Sequence, residues 1–278
     1  MTLRWNPKGT AHGKVVLIHD VLSMAESWWR VGPALAARGW TTVAPDLPGH
    51  GGMPELVRPL DMSTLVQGVV SRMPGQVDVL VGHGLGAIVA LTLAGRYPGA
   101  CRAIALEDPP GTNVFESSGL LAAAGASSAL VRSDRERLIR REQEAHEIWT
   151  REDVEYSVDA VAAADVPAIL AGLRCRVGWD IRRLLAYAQV PVLVMAAPDD
   201  RAGSTPSDLS ALSTADRKAI QSRIPAQHFQ VLPGGHYLHR DTPKQWVSAF
   251  TEFAESVLPE EHGPEVPESR TSLIANRG

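Results

Sequence analysis

The chemistry-bearing part of the chain starts at Gly82-His83-Gly84-Leu85-Gly86. An apolar, β-branched run precedes it and a helix of small residues over 84–96 follows at once. Strand, tight turn and helix form the setting of the pattern G-x-S-x-G, in which a serine oxygen is held out to attack. The glycine spacing is intact, but Gly84 stands where the serine is expected and has no side chain with which to attack. Further polar groups sit just past other apolar runs: His19-Asp20-Val21-Leu22, Pro198-Asp199-Asp200, and Gly234-Gly235-His236. Side chains at the carboxyl ends of parallel strands gather at one crevice. In chain order they are attacking position, acid, histidine. A histidine oriented by a carboxylate is a proton-transfer pair.

The elements that must position these groups alternate. Short apolar runs at 14–19, 41–44, 77–82, 102–107, 190–197 and 227–232 read as strands, with an edge strand at 3–5. Helices fall at 28–38, at 60–73 with Asp61 as N-cap, at 84–96 and at 243–257. This alternation gives an α/β chain with a mostly parallel, doubly wound sheet. From 112 to 188 strand signals stop, and helix-like blocks at 119–129, 134–147, 152–163 and 166–173 form an inserted helical cap. The expected division is a core of 1–111 and 189–258, the cap at 112–188, and a disordered Pro/Glu/Ser-rich tail at 259–278.

Composition narrows the class. The 278 residues are 45% hydrophobic and 21% charged, which suits one large domain with an insertion. A net charge of −4 gives no electrostatic case for nucleic acid. The two cysteines, Cys101 and Cys175, lie far apart, so reduced thiols and a cytoplasmic location are expected. No signal-peptide core and no run of 18 apolar residues is present, so no membrane association is expected. The expected partner is a small-molecule substrate. No metal-ligand spacing and no G-x-G-x-x-G fingerprint occur, so no metal and no other cofactor is expected.

Taken together, His19, Trp28-Trp29, the loop Pro45-Asp46-Leu47-Pro48-Gly49-His50-Gly51, the elbow, and Gly235-His236 with His239 resemble an α/β-hydrolase-fold protein with a helical cap, near the small bacterial esterase and epoxide-hydrolase-like group. The resemblance covers roughly 13–112 and 188–258. It implies that His236 is the general base and that Asp200, or else Asp199, holds its imidazole. It implies that the backbone N–H groups of Leu85 and Val21 form an oxyanion hole, with Gly84 at the nucleophile position. The chain departs from the family pattern twice. The serine is Gly84, and the glycine expected after His19 is Asp20. A carboxylate there opposes developing negative charge unless it points away or is protonated. Removing the nucleophile from a serine hydrolase costs on the order of 10⁶ in turnover. An efficient acyl-enzyme route through position 84 is therefore excluded.

Other residues have plainer readings. Asp108 ends a strand and is an alternative acid, although before two prolines it reads as a turn former. His83, His50 and His239 read as packed, hydrogen-bonded histidines. Asp20, Ser23, Trp28 and His83 are the candidates to line a substrate pocket. The charged run 132–144 reads as a solvated helix face.

Three functions fit. One is an enzyme whose His–Asp dyad and oxyanion hole perform acid–base chemistry: elimination, cyclisation, carbon–carbon cleavage or water-mediated hydrolysis. The second is an ester or lactone hydrolase whose elbow serine has been replaced. The third is a ligand-binding protein without catalysis.

Overall fold

Alternation along each strand divides the apolar side chains between two cores. Val15 and Leu17, Val79 and Val81, Ala103 and Ala105, and Leu193 and Met195 face one side, where Trp28, Val31, Leu35, Trp246 and Phe250 cover them. Val16 and Ile18, Leu80, Ile104 and Leu106, and Val192 and Val194 face the other side. Strands buried on both faces read as unbroken apolar runs, as these do. The computed structural model describes residues 1–52, 60–112, 118–174, 179–199 and 210–258. Asp200, Cys175 and the tail at 259–278 lie outside the described residues.

The strands are β1 (Thr2–Trp5), β2 (Gly13–Ile18), β3 (Trp40–Pro45), β4 (Val77–His83), β5 (Cys101–Glu107), β6 (Val192–Ala196) and β7 (Phe229–Val231). They form a seven-stranded sheet in the order β1-β3-β2-β4-β5-β6-β7. Only the edge strand β1 is antiparallel, against β3. In the centre, Ile18 of β2 pairs with Gly82 of β4, and His83 of β4 pairs with Glu107 of β5. The helices α1 (Val31–Ala36) and α11 (Pro243–Val257) lie on the first face. On the second lie α2 (Met62–Val70), α3 (Leu85–Arg96), α8 (Ile181–Ala186) and α9 (Thr214–Gln221). Asp61 caps α2 as expected, its side chain accepting from Thr64 N–H. The mostly parallel α/β architecture expected from the sequence is the one observed. The helix expected over 28–38 is split, with a 3-10 turn at Ala25–Trp28 before α1.

Between β5 and β6 the described chain is helical: α4 (Ser118–Ser133), α5 (Arg135–Ala145), α6 (Arg151–Ala163) and α7 (Val166–Arg174). A capping box starts α6, with Thr150 and Asp153 each accepting from the other's backbone N–H. The insertion bonds to the 49–52 loop through Gly52 N–H to Ala163 O (3.1 Å) and Asp165 N–H to Gly49 O (2.8 Å). Asp153, wholly buried, accepts from the Trp29 indole (2.9 Å) and the Arg30 guanidinium (2.6 Å). A short helix, α10 (Leu238–Asp241), lies between β7 and α11. Among the described residues no single helix is long and apolar enough to cross a membrane.

Candidate active site

At the end of β4 the chain turns abruptly into α3. Gly84 has φ 51° and ψ −117°, a conformation that costs about 1–3 kcal/mol for a residue with a side chain. A Cβ at Gly84 would lie 2.0 Å from Oδ1 and 2.5 Å from Oδ2 of Asp20. The space that an elbow side chain would fill is thus occupied by a carboxylate from the neighbouring strand. Asp20 and Gly84 each stand two residues beyond the paired Ile18 and Gly82, so the side chain crosses a single strand spacing.

The loop after β2 holds Asp20 in that position. His19 Nε2 accepts from Leu47 N–H at 2.9 Å, which leaves its Nδ1–H to donate to the Asp20 carbonyl at 2.7 Å. Burial lowers the His19 pKa to about 4, consistent with this neutral tautomer. Ser23 N–H closes the turn onto the same carbonyl (3.2 Å), and Leu22 takes a positive φ of 54°. Asp20 Oδ1 accepts the Leu85 N–H at 2.5 Å, and Oδ2 meets His236 Nε2 at 3.0 Å. Asp20 therefore does not point away from the oxyanion donors. It takes the place expected of an oxyanion at the Leu85 N–H, with His236 balancing its charge. The other expected donor, Val21 N–H, makes no hydrogen bond among the described residues.

His236 turns its other nitrogen, Nδ1, to Asp108 Oδ2 at 2.7 Å. Asp108, the alternative acid of the sequence reading, stands here in place of Asp199, while Asp200 lies outside the described residues. Asp199 lies by Thr214 Oγ1 (3.4 Å) and the Arg217 guanidinium (3.8 Å), and both nitrogens of His236 are already engaged. Asp108 is wholly buried and firmly oriented. Oδ1 accepts from Ser210 Oγ (2.5 Å) and Ala197 N–H (3.2 Å), and Oδ2 also accepts from Ala211 N–H (2.8 Å). Its φ of 34° is unusual for a side-chain-bearing residue, and it turns the chain out of β5. Turn former and acid are here the same residue.

Both nitrogens of His236 face carboxylate oxygens, so both carry protons. Burial alone would lower its pKa. The hydrogen bonds and charges of Asp108 and Asp20 outweigh burial and push it up to about 10. Burial likewise opposes ionisation of Asp20, yet the bond from His236, the positive charge nearby and the Leu85 N–H hold it well below the usual carboxylate range. The resting site is a chain of anion, imidazolium and anion.

His83 Nε2–H donates to the His236 carbonyl (2.9 Å), and burial lowers its pKa to about 4, so it supports the His236 backbone as a neutral histidine. Trp28 corrects a pocket expectation. It is wholly buried in the core, its ring 4.4 Å from His239 and 5.9 Å from Trp246. His239 meets Glu107 at 2.7 Å, a pair absent from the sequence reading, although His83 and Glu107 share a register step. Two groups hold ligand-type atoms within 4.8 Å of one another: Asp20, His83 and His236, and His83, Glu107 and His239. In the first, Asp20 and His236 already saturate each other. In the second, Glu107 accepts from His239 N–H (2.9 Å), His239 Nδ1–H and the Trp246 indole (2.8 Å). A cation in the first group would have to displace the His236 proton, so the donor set suits proton transfer.

The model of the alpha/beta hydrolase family matches residues 15–250. A pimeloyl-[acyl-carrier protein] methyl ester esterase of Neisseria meningitidis is 39% identical over 93 residues, 34% of this chain and 35% of that protein. An epoxide hydrolase A of Mycobacterium tuberculosis is 36% identical over 80 residues, 27% of this chain and 25% of that protein. The matched stretches span about a third of these curated relatives or less. The structure of a thermophilic esterase from Thermogutta terrifontis superposes with a TM-score of 0.68 at 20% identity, over 92% of this chain and 93% of that one.

Proposed function

We propose, for a chain that belongs to the alpha/beta hydrolase family, an enzyme that performs acid–base chemistry on a small organic molecule with Asp20, His236 and Asp108 in place of a serine. One observation carries this reading. The Asp20 carboxylate fills the space of the missing elbow side chain and holds both the Leu85 N–H and His236 Nε2.

A substrate oxygen that takes the Leu85 N–H displaces Asp20 Oδ1. The Val21 N–H is the second donor open to it. His236, already protonated, gives its Nε2 proton to that oxygen as charge develops. Asp20, released from both partners, regains ordinary basicity and accepts a proton from substrate or water. Asp108 keeps Nδ1 protonated and the ring oriented. Proton transfer of this kind contributes about 10²–10⁴-fold, and one oxyanion donor about 10²–10³-fold. Elimination, cyclisation, carbon–carbon cleavage and water-mediated hydrolysis all pass through this exchange.

The test is turnover of a panel of activated esters, lactones and β-hydroxycarbonyl compounds. Asp20→Asn is expected to lower the rate on the best substrate by about 10²–10⁴. Gly84→Ser is expected to gain no esterase activity, because its Cβ collides with the Asp20 carboxylate. If Gly84→Ser alone raises ester turnover by decades while Asp20→Asn has no effect, the chain is instead an ester hydrolase lacking its serine.

A further inference from the structure

His236 follows Gly234 and Gly235, the most pliable dipeptide a chain can have, and Gly234 sits at φ 154°. Nothing local fixes where the imidazole stands, so its backbone must be held from outside. The His83 donation to the His236 carbonyl provides one anchor. Asp241 provides the other, since its Oδ2 accepts the Gly235 N–H at 2.6 Å. Its Oδ1 accepts the indole N–H of Trp149 at 2.7 Å, and Trp149 lies between α5 and α6 of the insertion. Trp149 is itself gripped. The His146 ring stacks on it at 3.7 Å, the Arg240 guanidinium lies 4.6 Å from its centroid, and Tyr237 packs edge-on at 5.1 Å. Arg240 is buried and also donates to the Asp153 carbonyl of α6 (3.1 Å).

We propose that Asp241 is a positioning residue, the joint through which the helical insertion sets the seat of His236. One carboxylate oxygen reads the insertion and the other holds the backbone next to the imidazole. The insertion does not merely lie beside the site; a shift of the 146–150 segment moves Gly235, and with it the His236 contacts to Asp108 and Asp20. The proposal rests on the role given to His236 above.

The test needs no substrate. The His236 ring nitrogens of the isotope-labelled full chain are followed by NMR against pH in wild type, Trp149→Phe, Asp241→Asn and Trp29→Phe. Trp149→Phe keeps the ring and deletes the N–H. Asp241→Asn keeps the shape but turns an amide donor toward one of two N–H groups. Both are expected to lower the His236 midpoint by about one unit or more as the ring slackens from its carboxylates. Trp29→Phe removes another bond between insertion and core, the one to the Asp153 side chain, but neither of the Asp241 bonds to Trp149 and Gly235, and is expected to leave the midpoint unchanged. A midpoint unmoved in Trp149→Phe overturns the proposal, whatever happens to the melting temperature. A downward shift of the same size in Trp29→Phe overturns it too, because the effect is then general loosening. If Asp241→Asn does not fold, Trp149→Phe decides alone. Failure here leaves the Asp20 dependence of turnover untouched, and failure of that dependence leaves this titration measurable.

Discussion

Two histidine–carboxylate pairs lie side by side at the end of β5 and behave in opposite ways. Glu107 and Asp108 are consecutive, and each receives the Nδ1 of a histidine at 2.7 Å, His239 and His236 respectively. His239 is driven well below its ordinary value by burial, with the neighbouring Arg240 charge adding to the effect. His236 is pushed up to about 10. Distance to the carboxylate does not separate them. Glu107 divides its charge among three N–H donors, and the far nitrogen of His239, Nε2, has no partner among the described residues. His236 has a second carboxylate, Asp20, on its far nitrogen. One carboxylate in a dry site orients a neutral imidazole, whereas two hold a cation. The first pair fastens α10 and α11 to the sheet, and the second stores a proton.

The largest effect should come from breaking the fastening pair. Glu107→Ala orphans three buried N–H donors and is expected to destabilise the fold by about 3–5 kcal/mol, at about 1–3 kcal/mol for each unsatisfied donor. Thermal unfolding should then fall by on the order of 10 °C. A drop of a degree or two would mean that Glu107 is not the fastener.

Gly84→Ala should cost about 1–3 kcal/mol in denaturant unfolding, because its φ of 51° strains any side chain. It also pushes Asp20 off His236. That leaves His236 with one carboxylate, as His239 has, so its titration midpoint should fall. A retained high midpoint would show that Asp108 alone suffices and would undo the comparison.

The same contrast governs the pH dependence of stability. His236, raised from 6.5 to about 10, adds stability that is complete below about pH 6.5 and is lost as pH rises through 10. His239, lowered from 6.5, adds stability that is present above 6.5 and is lost as pH falls. His236→Gln should flatten the alkaline limb. His239→Gln should soften the acid limb only partly, because His19 and His83, lowered to about 4, and His50, lowered to about 3, share it. Unfolding free energy measured across pH separates the two limbs.

Much of this was legible in the chain. Glycines at 82, 84 and 86 predicted an elbow, and the structure shows why two of them are needed. A Cβ at Gly82 would meet the Gly86 carbonyl at 2.3 Å, and one at Gly86 the Ile18 carbonyl at 2.2 Å. The strands were legible because residues buried on both faces leave unbroken apolar runs. The partner of His236 was legible only as an alternative. Asp108 stands before two prolines, which mark a turn, and a turn signal does not say that the turning side chain is also an acceptor for a residue 128 positions away. Asp20 showed its charge in the sequence but not its direction, which depends on the His19 tautomer and on the bond to Leu47.

The register between β2 and β4 makes positions 20 and 84 a coupled pair. A side chain at 84 while Asp20 remains meets the carboxylate at 2.0 Å, and loss of Asp20 while Gly84 remains takes the carboxylate from His236 Nε2 and leaves only Asp108 on the ring. Neither substitution is neutral on its own. An evolutionary path between a serine at the elbow and a carboxylate one strand away must change both positions together or pass through a disabled intermediate. Asp20 and Gly84 should therefore be inherited as a unit, and a lineage that has made the exchange will not readily reverse it.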